Sequence, residues 1–399
     1  MNGETIAVLD ARPERTGESG YRSPLLKREM PGLDALRGLA ILSVVFYHGL
    51  FWAPVQRPPA HSLAASISSL FLFGWLGVFL FFVLSGFLIT GILLDSKGRP
   101  RYWRNFYVRR VLRIIPAFVL VLLIVRVFFH ATWLYVAVCM AYMANLAPMM
   151  HMGGFQYGPL WSLAVEEQFY LGWPWLVKLL TRRHLAYVVL ASIVFSPLLR
   201  YLSAAGIVPL GDPHTMTWLI SDNLAMGALL ALLLRSRWGT VEKVRAIAWG
   251  LLIAGVILLA SGIPLGILHR ANFLGSALQT VPFELMFAAL LLLSLFVGDR
   301  RAVIAWTRPL RFFGYISYGL YLCHVLVFGF ADRVLRSFGF YSSWSTEEWM
   351  LRFIADGALS VLVAYLSRRY FEEFFLSLKT TLTPSRNTVK EKEGAELAA

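Results

Sequence analysis

The sequence predicts an all-α fold, a polytopic membrane helical bundle, on three observations. Hydrophobic residues make up 58% of the chain and charged residues only 15%, against roughly 25% charged in soluble proteins. The mean hydropathy is +0.63. Apolar stretches of bilayer length recur along the chain, and the basic residues crowd into the short stretches between them.

The spans are predicted at 33–53, 71–94, 111–130, 161–180, 184–203, 216–234, 244–263, 277–298, 314–332 and 350–368. That makes about ten transmembrane helices. An eleventh apolar piece at 132–148 is shorter, and only Ala131 separates it from the span that ends at His130. Charge decides how to count it. If 132–148 does not cross, the basic clusters Lys97 to Arg113, Lys178 to Arg183, Arg235 to Arg245, Arg300 to Arg311 and Arg368 to Lys379 share one side with the basic N-terminus, as the positive-inside rule requires. It is therefore read as a re-entrant or tilted outer segment.

Residues 1–30 form a polar, basic segment with no apolar run and no small-residue cleavage site, so they are expected to stay in the cytoplasm. The membrane domain covers 31–375, and 376–399, rich in Thr, Lys, Glu and Ala, reads as a disordered cytoplasmic tail. Both termini are then cytoplasmic in a multi-pass protein of a bacterial-type inner membrane, with Gly153 outside and Thr240 inside. The two cysteines, Cys139 and Cys323, both fall in apolar segments, which excludes a disulfide framework or a cysteine zinc site, and no metal is expected. A net charge of +14 suggests nucleic acid at first sight. Its placement in inner loops assigns it to the lipid bilayer as partner instead.

Ionisable residues inside spans are costly and mark pathways or reaction sites. Arg37 and His48 lie eleven residues apart on the first span, and at 100° per residue they project within about 20° of each other. One stripe of one helix carries both. Taken alone, Arg37 near the helix end also fits a snorkelling residue or a partner for Asp34 one turn away. Entering from the cytoplasm near Leu33, the helix carries His48 roughly 22 Å up, in the outer third of the bilayer. The span at 161–180 enters from outside, which puts Glu166 and Glu167 about 8 to 10 Å below that surface. Histidine and carboxylates fall at one level, where a carboxylate can orient an imidazole for general-base work. Successive residues differ by 100°, so one glutamate faces the site, Glu166 rather than Glu167; pairing with another span's arginine is the plainer alternative.

On the cytoplasmic side, Arg109 and Arg113 share a helix face, and Arg101, Arg104 and Arg110 crowd the same stretch. Guanidinium groups bind phosphate oxygens bidentately, although any inner loop is basic. What exceeds the ordinary is continuity with the third span, which carries Pro116 just inside the bilayer. Ser85, Tyr321 and His324 are lesser candidates for a polar lining, because a serine in a span is more often a packing residue.

These residues carry a resemblance. The Arg-x10-His first helix, Gly74-x-x-Gly-Val-x-x-Phe-Phe-x-Leu-Ser-Gly-Phe-Leu88, Arg109-Arg-Val-Leu-Arg-Ile-Ile-Pro116, Trp161-Ser-Leu-Ala-Val-Glu-Glu-Gln-Phe-Tyr170 and Ile316-Ser-Tyr-Gly-Leu-Tyr-Leu-Cys-His324 together resemble the acyltransferase 3 family. These are integral membrane O-acyltransferases of surface polysaccharides, nodulation factors and macrolides. The resemblance implies transfer of an acyl group, acetyl first, from cytoplasmic acyl-CoA to a hydroxyl of a sugar or glycoconjugate facing outward. It implies essential roles for Arg37 and His48 and donor binding by Arg109 to Arg113. Two departures stand out. The chain stops some thirty residues after the tenth span, where the family often continues into an esterase-like domain, so it is expected to be of the stand-alone type. In the sixth span, Ser221 precedes Asp222 where many members have an arginine.

A single route joins the two sites. With coenzyme A phosphates on the cytoplasmic arginines, a pantetheine arm of about 15 to 20 Å runs past Arg37, whose rise to His48 is about 16 Å. His48 then takes the acceptor's proton or is itself acylated first. The competing class is a polytopic transporter or flippase, whose inverted repeats and paired broken helices are not evident here.

Overall fold

The computed structural model describes residues 21–51, 62–152, 154–270, 272–296, 301–339 and 345–383. Gly153 and most of both terminal segments lie outside them. Among the described residues every regular element is helical. In chain order the helices are α1 (Pro31–Phe46), α2 (Leu63–Leu70), α3 (Gly77–Ser96), α4 (Tyr102–Phe128), α5 (Trp133–Met140), α6 (Leu160–Leu179), α7 (Arg182–Ala204), α8 (Thr217–Leu233), α9 (Val241–Gly262), α10 (Phe273–Leu278), α11 (Val281–Ser294), α12 (Arg301–Trp306), α13 (Arg308–Ser337), α14 (Thr346–Leu366) and α15 (Glu373–Leu382).

Eight helical stretches among the described residues are long and apolar enough to cross a membrane. The 20-residue α6 and the 17-residue α8 take the places of the fourth and sixth predicted spans. The chain is an all-α polytopic membrane protein. Helix α5 has eight residues, a rise of about 12 Å that falls well short of a hydrocarbon core of about 30 Å. Gln168 on α6 ties the segment after α5 down, donating to the Tyr142 carbonyl at 2.7 Å and to Asn145 Oδ1 at 3.1 Å. Asn145 Nδ2 in turn donates to Thr217 Oγ1 of α8 at 3.1 Å.

Several boundaries differ from the sequence reading, α4 and α13 running longer than predicted, and three of the differences have a local reason. The second span begins at Gly77, because 71–76 form a tight turn in which Gly74 and Gly77 press on α1; a Cβ on them would overlap the carbonyl oxygens of Ser43 and Ala40. The eighth is broken between α10 and α11, where Pro282 opens the new helix without an N–H to give the old one. The last continues through a π-helical turn at Ser367–Glu372 into α15, so helix runs to Leu382, within the segment read as tail.

Helix α3 is the most enclosed of the spanning helices, whereas α9 and α14 turn most of their surface outward. Two glycine crossings set the frame. A Cβ on Gly86 of α3 would overlap the Leu224 carbonyl of α8, and one on Gly227 of α8 would overlap that of Val83. Likewise a Cβ on Gly38 of α1 would overlap the Leu310 carbonyl, and one on Gly314 of α13 the Asp34 carbonyl. Small residues allow such close approach, which drives helix association where lipid offers no hydrophobic advantage.

Candidate active site

The α1–α13 crossing dictates what meets further along the two helices. His48 follows Gly38 by ten residues and His324 follows Gly314 by ten, so each histidine stands about 15 Å from the same contact on its own helix. They meet: His324 Nε2 lies 3.1 Å from His48 Nδ1, and the ring centroids are 5.0 Å apart. Beyond Phe46, α1 loosens into a π-helical turn at Tyr47–Phe51, an arrangement frequent at functional sites.

Hydrogen bonding fixes the tautomers. His324 is fully buried, and its Nδ1 lies 2.9 Å from both the Leu320 and Tyr321 carbonyl oxygens. A carbonyl only accepts, so Nδ1 carries the hydrogen and Nε2 the lone pair. His48 Nδ1 faces that lone pair and the Val44 carbonyl oxygen at 3.0 Å. It too must therefore be the N–H, which makes Nε2 the basic nitrogen of His48. A second group surrounds the pair: Tyr321, whose ring centroid is 5.9 Å from that of His324, hydrogen-bonds Ser162 and donates to the Pro159 carbonyl at 3.2 Å.

The expected carboxylate–imidazole contact is not what the described residues form. Glu166 Oε1 accepts hydrogen bonds from Ser85 and Tyr170, whereas His48 lies against His324. The physical reason is geometric: one turn separates Glu166 from Tyr170, so the carboxylate is held on its own helix face by an i, i+4 contact. Glu167 points away, buried near Tyr142 and Tyr318, with Oε1 lacking a hydrogen-bond partner among the described residues. The two glutamates diverge as the 100° step requires.

The arginines divide as well. Arg37 Nη1 pairs with Asp34 Oδ1 at 3.2 Å, one of the contacts its place near the helix end allows. Arg37 is also within electrostatic reach of Arg113, together with Arg110, Tyr170 and Glu166. Arg110 stacks 4.4 Å above the Tyr170 ring. Neither Arg110 nor Arg113 makes an ion pair among the described residues. Arg109 donates from Nε to Thr383 Oγ1 at 3.0 Å, and Arg104 is exposed. The structure thus gathers Arg37, Arg110 and Arg113 with Ser85, Glu166 and Tyr170, and sets Arg109 toward the end of α15.

Sequence reasoning missed Tyr170 as a member of this group, although its spacing from Glu166 signals it. It also missed Arg200. That side chain, 1% exposed on α7, pairs with the fully buried Asp222 at 2.7 Å and donates to the Leu219 and Ala277 carbonyls at 2.6 and 3.0 Å. Ser221, meanwhile, hydrogen-bonds Ser192 and Ser196. The aspartate has its arginine, supplied by another helix.

A helical membrane bundle with an interior imidazole pair and, apart from it, a group of half-buried arginines defines a polytopic protein with a candidate reaction site among its helices. The family described as an acyltransferase domain, acyltransferase 3, matches residues 30–369, and the chain belongs to it. Among its relatives, OatA of Listeria monocytogenes, a peptidoglycan O-acetyltransferase, is 29% identical over 385 residues, covering 87% of this chain and 56% of that one. YrhL of Bacillus subtilis, provisionally named a peptidoglycan O-acetyltransferase, is 31% identical over 342 residues, covering 76% of this chain and 49% of its own. The O-acetyltransferase OatA of Staphylococcus aureus is 25% identical over 377 residues, covering 86% and 57%. The chain spans about half the length of these curated relatives. No solved structure matches it.

Proposed function

We propose that the chain is a membrane O-acyltransferase that takes an acyl group, acetyl first, from cytoplasmic acyl-CoA and delivers it to a hydroxyl of a sugar or glycoconjugate on the outer side of the membrane. The observation that carries this reading is the His48–His324 pair, whose tautomers make His48 Nε2 a base with its N–H already held. The acceptor hydroxyl attacks the thioester carbon as Nε2 takes its proton. The imidazolium so formed is stabilised by the Val44 carbonyl and the His324 lone pair. The tetrahedral intermediate collapses, the C–S bond breaks, and the proton passes to the leaving thiolate sulfur. An N–H held by a fixed acceptor is the orienting device of acid–base triads, here with an imidazole in the carboxylate's place.

Arg110 and Arg113, cationic and without an ion pair among the described residues, are the natural seat for donor phosphates, since guanidinium charge inside a bilayer calls for an anion. Arg37 joins them at the foot of the route to His48. In this reading both termini face the cytoplasm. The test is transfer of radiolabel from acetyl-CoA to glycan in isolated membranes: label in the acceptor with wild-type protein and none with His48→Ala is expected. Substrate movement without label transfer would instead mark a transporter or flippase.

A further inference from the structure

A second cationic feature lies beside the histidine pair, in the connection between α9 and α10. Arg270 sits 3.9 Å above the Trp75 ring, at cation–π distance. Its Nε donates to Gln279 Oε1 at 3.1 Å, and Gln279 Nε2 is anchored on the Leu268 carbonyl at 2.8 Å. The stacking and this one bond hold the plane of the guanidinium. Its two terminal amino groups have no hydrogen-bond or ion-pair partner among the described residues, and the residue is solvent-exposed.

Asp212, the carboxylate in electrostatic reach of Arg270, forms no ion pair with it. Asp212 spends its oxygens on its own loop, accepting from the His214 backbone N–H at 3.0 Å and from Thr215 Oγ1 at 3.1 Å. His214, beside Arg270, has a buried Nδ1 without a partner among the described residues. Burial first, then the positive charge of Arg270, push that imidazole down to about 4, so it stays neutral at ordinary pH and adds no competing charge.

The feature connects directly to the reaction site. Arg270 is in electrostatic reach of Tyr47, and Gly74, next to Trp75, packs on the Tyr47 Cβ. The Tyr47 ring stands edge-on to His48 with centroids 5.2 Å apart. A fixed guanidinium fork on an exposed residue, flanked by two aromatic rings and one residue removed from the base, suits an anion carried by the acceptor rather than by the donor.

We propose that Arg270, seated on Trp75 beside Tyr47, is the acceptor-side anchor of the site and selects an acidic glycan, whose carboxylate or phosphate it holds while a neighbouring hydroxyl turns toward His48. The proposal rests on the acyltransferase reading for its second substrate. A bidentate, charge-assisted contact of this kind is worth about 10- to 100-fold in affinity.

The test uses the full chain in nanodiscs and three forms of one muramic acid-containing oligosaccharide: free carboxylate, carboxyl methyl amide, and the amide bearing a sugar phosphate. Binding is measured by calorimetry without acyl-CoA, and kcat/KM with it. Wild-type protein is expected to prefer an acidic form over the neutral amide by about 10- to 100-fold in both measurements, and the form preferred names the anion. Arg270→Gln is expected to erase that ratio, Arg270→Lys to keep part of it because charge survives without the fork, and Arg270→Glu to invert it. Equal binding of acidic and neutral forms by wild type, or an unchanged ratio in Arg270→Gln, overturns the proposal. Selective binding without any acyl transfer upholds the anchor and overturns the acyltransferase reading; transfer without acid preference does the reverse.

Discussion

Two of the polar centres enclosed by these helices are built on opposite terms. Arg200 and Asp222 form an ion pair at 2.7 Å, and two backbone carbonyls accept hydrogen bonds from the guanidinium. His48 and His324 are two imidazoles whose contacts align an N–H with a lone pair. In a low-dielectric interior a charge is tolerated when its counter-charge is within bonding distance, and removing either partner exposes the full desolvation cost. A reaction centre needs the reverse: a group uncharged at rest, able to accept a proton for the moment of chemistry because its second nitrogen is already held. One centre is locked and the other is poised.

The largest expected effect breaks the poised centre. His48→Ala should lower acyl transfer by about a thousandfold or more, near the upper range of general acid–base catalysis, while size-exclusion profiles and thermal unfolding stay near wild type. Loss of the folded protein together with activity would make His48 a packing residue. Next comes the locked centre. Arg200→Ala strands Asp222, with buried Glu284 in electrostatic reach of both, and should destabilise the fold by about 3 to 5 kcal/mol. The double change Arg200→Met with Asp222→Leu should recover much of that in a thermal-unfolding assay, as replacement of a buried pair by apolar residues often does; a double variant no better than the single one would show that the charges, not their compensation, matter.

Smaller effects sharpen the contrast. His324→Gln still offers His48 Nδ1 an acceptor oxygen, whereas His324→Leu offers none, so the expected losses in kcat are about tenfold and about a hundredfold, within the range for misplacing a catalytic group. Equal losses would remove the tautomer argument. The paired change Arg110→Ala with Arg113→Ala should raise the KM for acyl-CoA about tenfold, consistent with loss of a charge-assisted contact, and shift the acceptor KM little. A matching rise for both substrates would indicate a general defect in packing.

The sequence displays whatever depends on spacing along one helix and hides what depends on the meeting of two. The divergence of Glu166 and Glu167 is a property of pitch, and the short helix within 132–148 agrees with a count taken from the charges of the flanking loops; both are legible. The partner of His48 is not, because it is set by a glycine contact with α13 far along the chain; His324 earned only the rank of lining residue. The expected Glu166–imidazole contact failed for the same reason in reverse, since a local partner, Tyr170, lay four residues away and claimed the carboxylate. Asp222 looked bereft of its arginine because Ser221 precedes it, and only packing of α7 on α8 reveals Arg200. Arg270 sits in a connection with no periodicity to read.

The glycine crossing of α1 and α13 makes the site a matter of counting. Both histidines are ten residues from the contact, so the pair is preserved by any change that lengthens or shortens the two helices together and destroyed by one that alters only one. Deleting a single residue between Gly38 and His48 would turn the imidazole by 100° and draw it back about 1.5 Å, while a matched deletion between Gly314 and His324 would carry its partner along. What descendants of this chain must inherit at the centre is therefore an interval held in common by two distant stretches, and insertions there are tolerable only as coupled events.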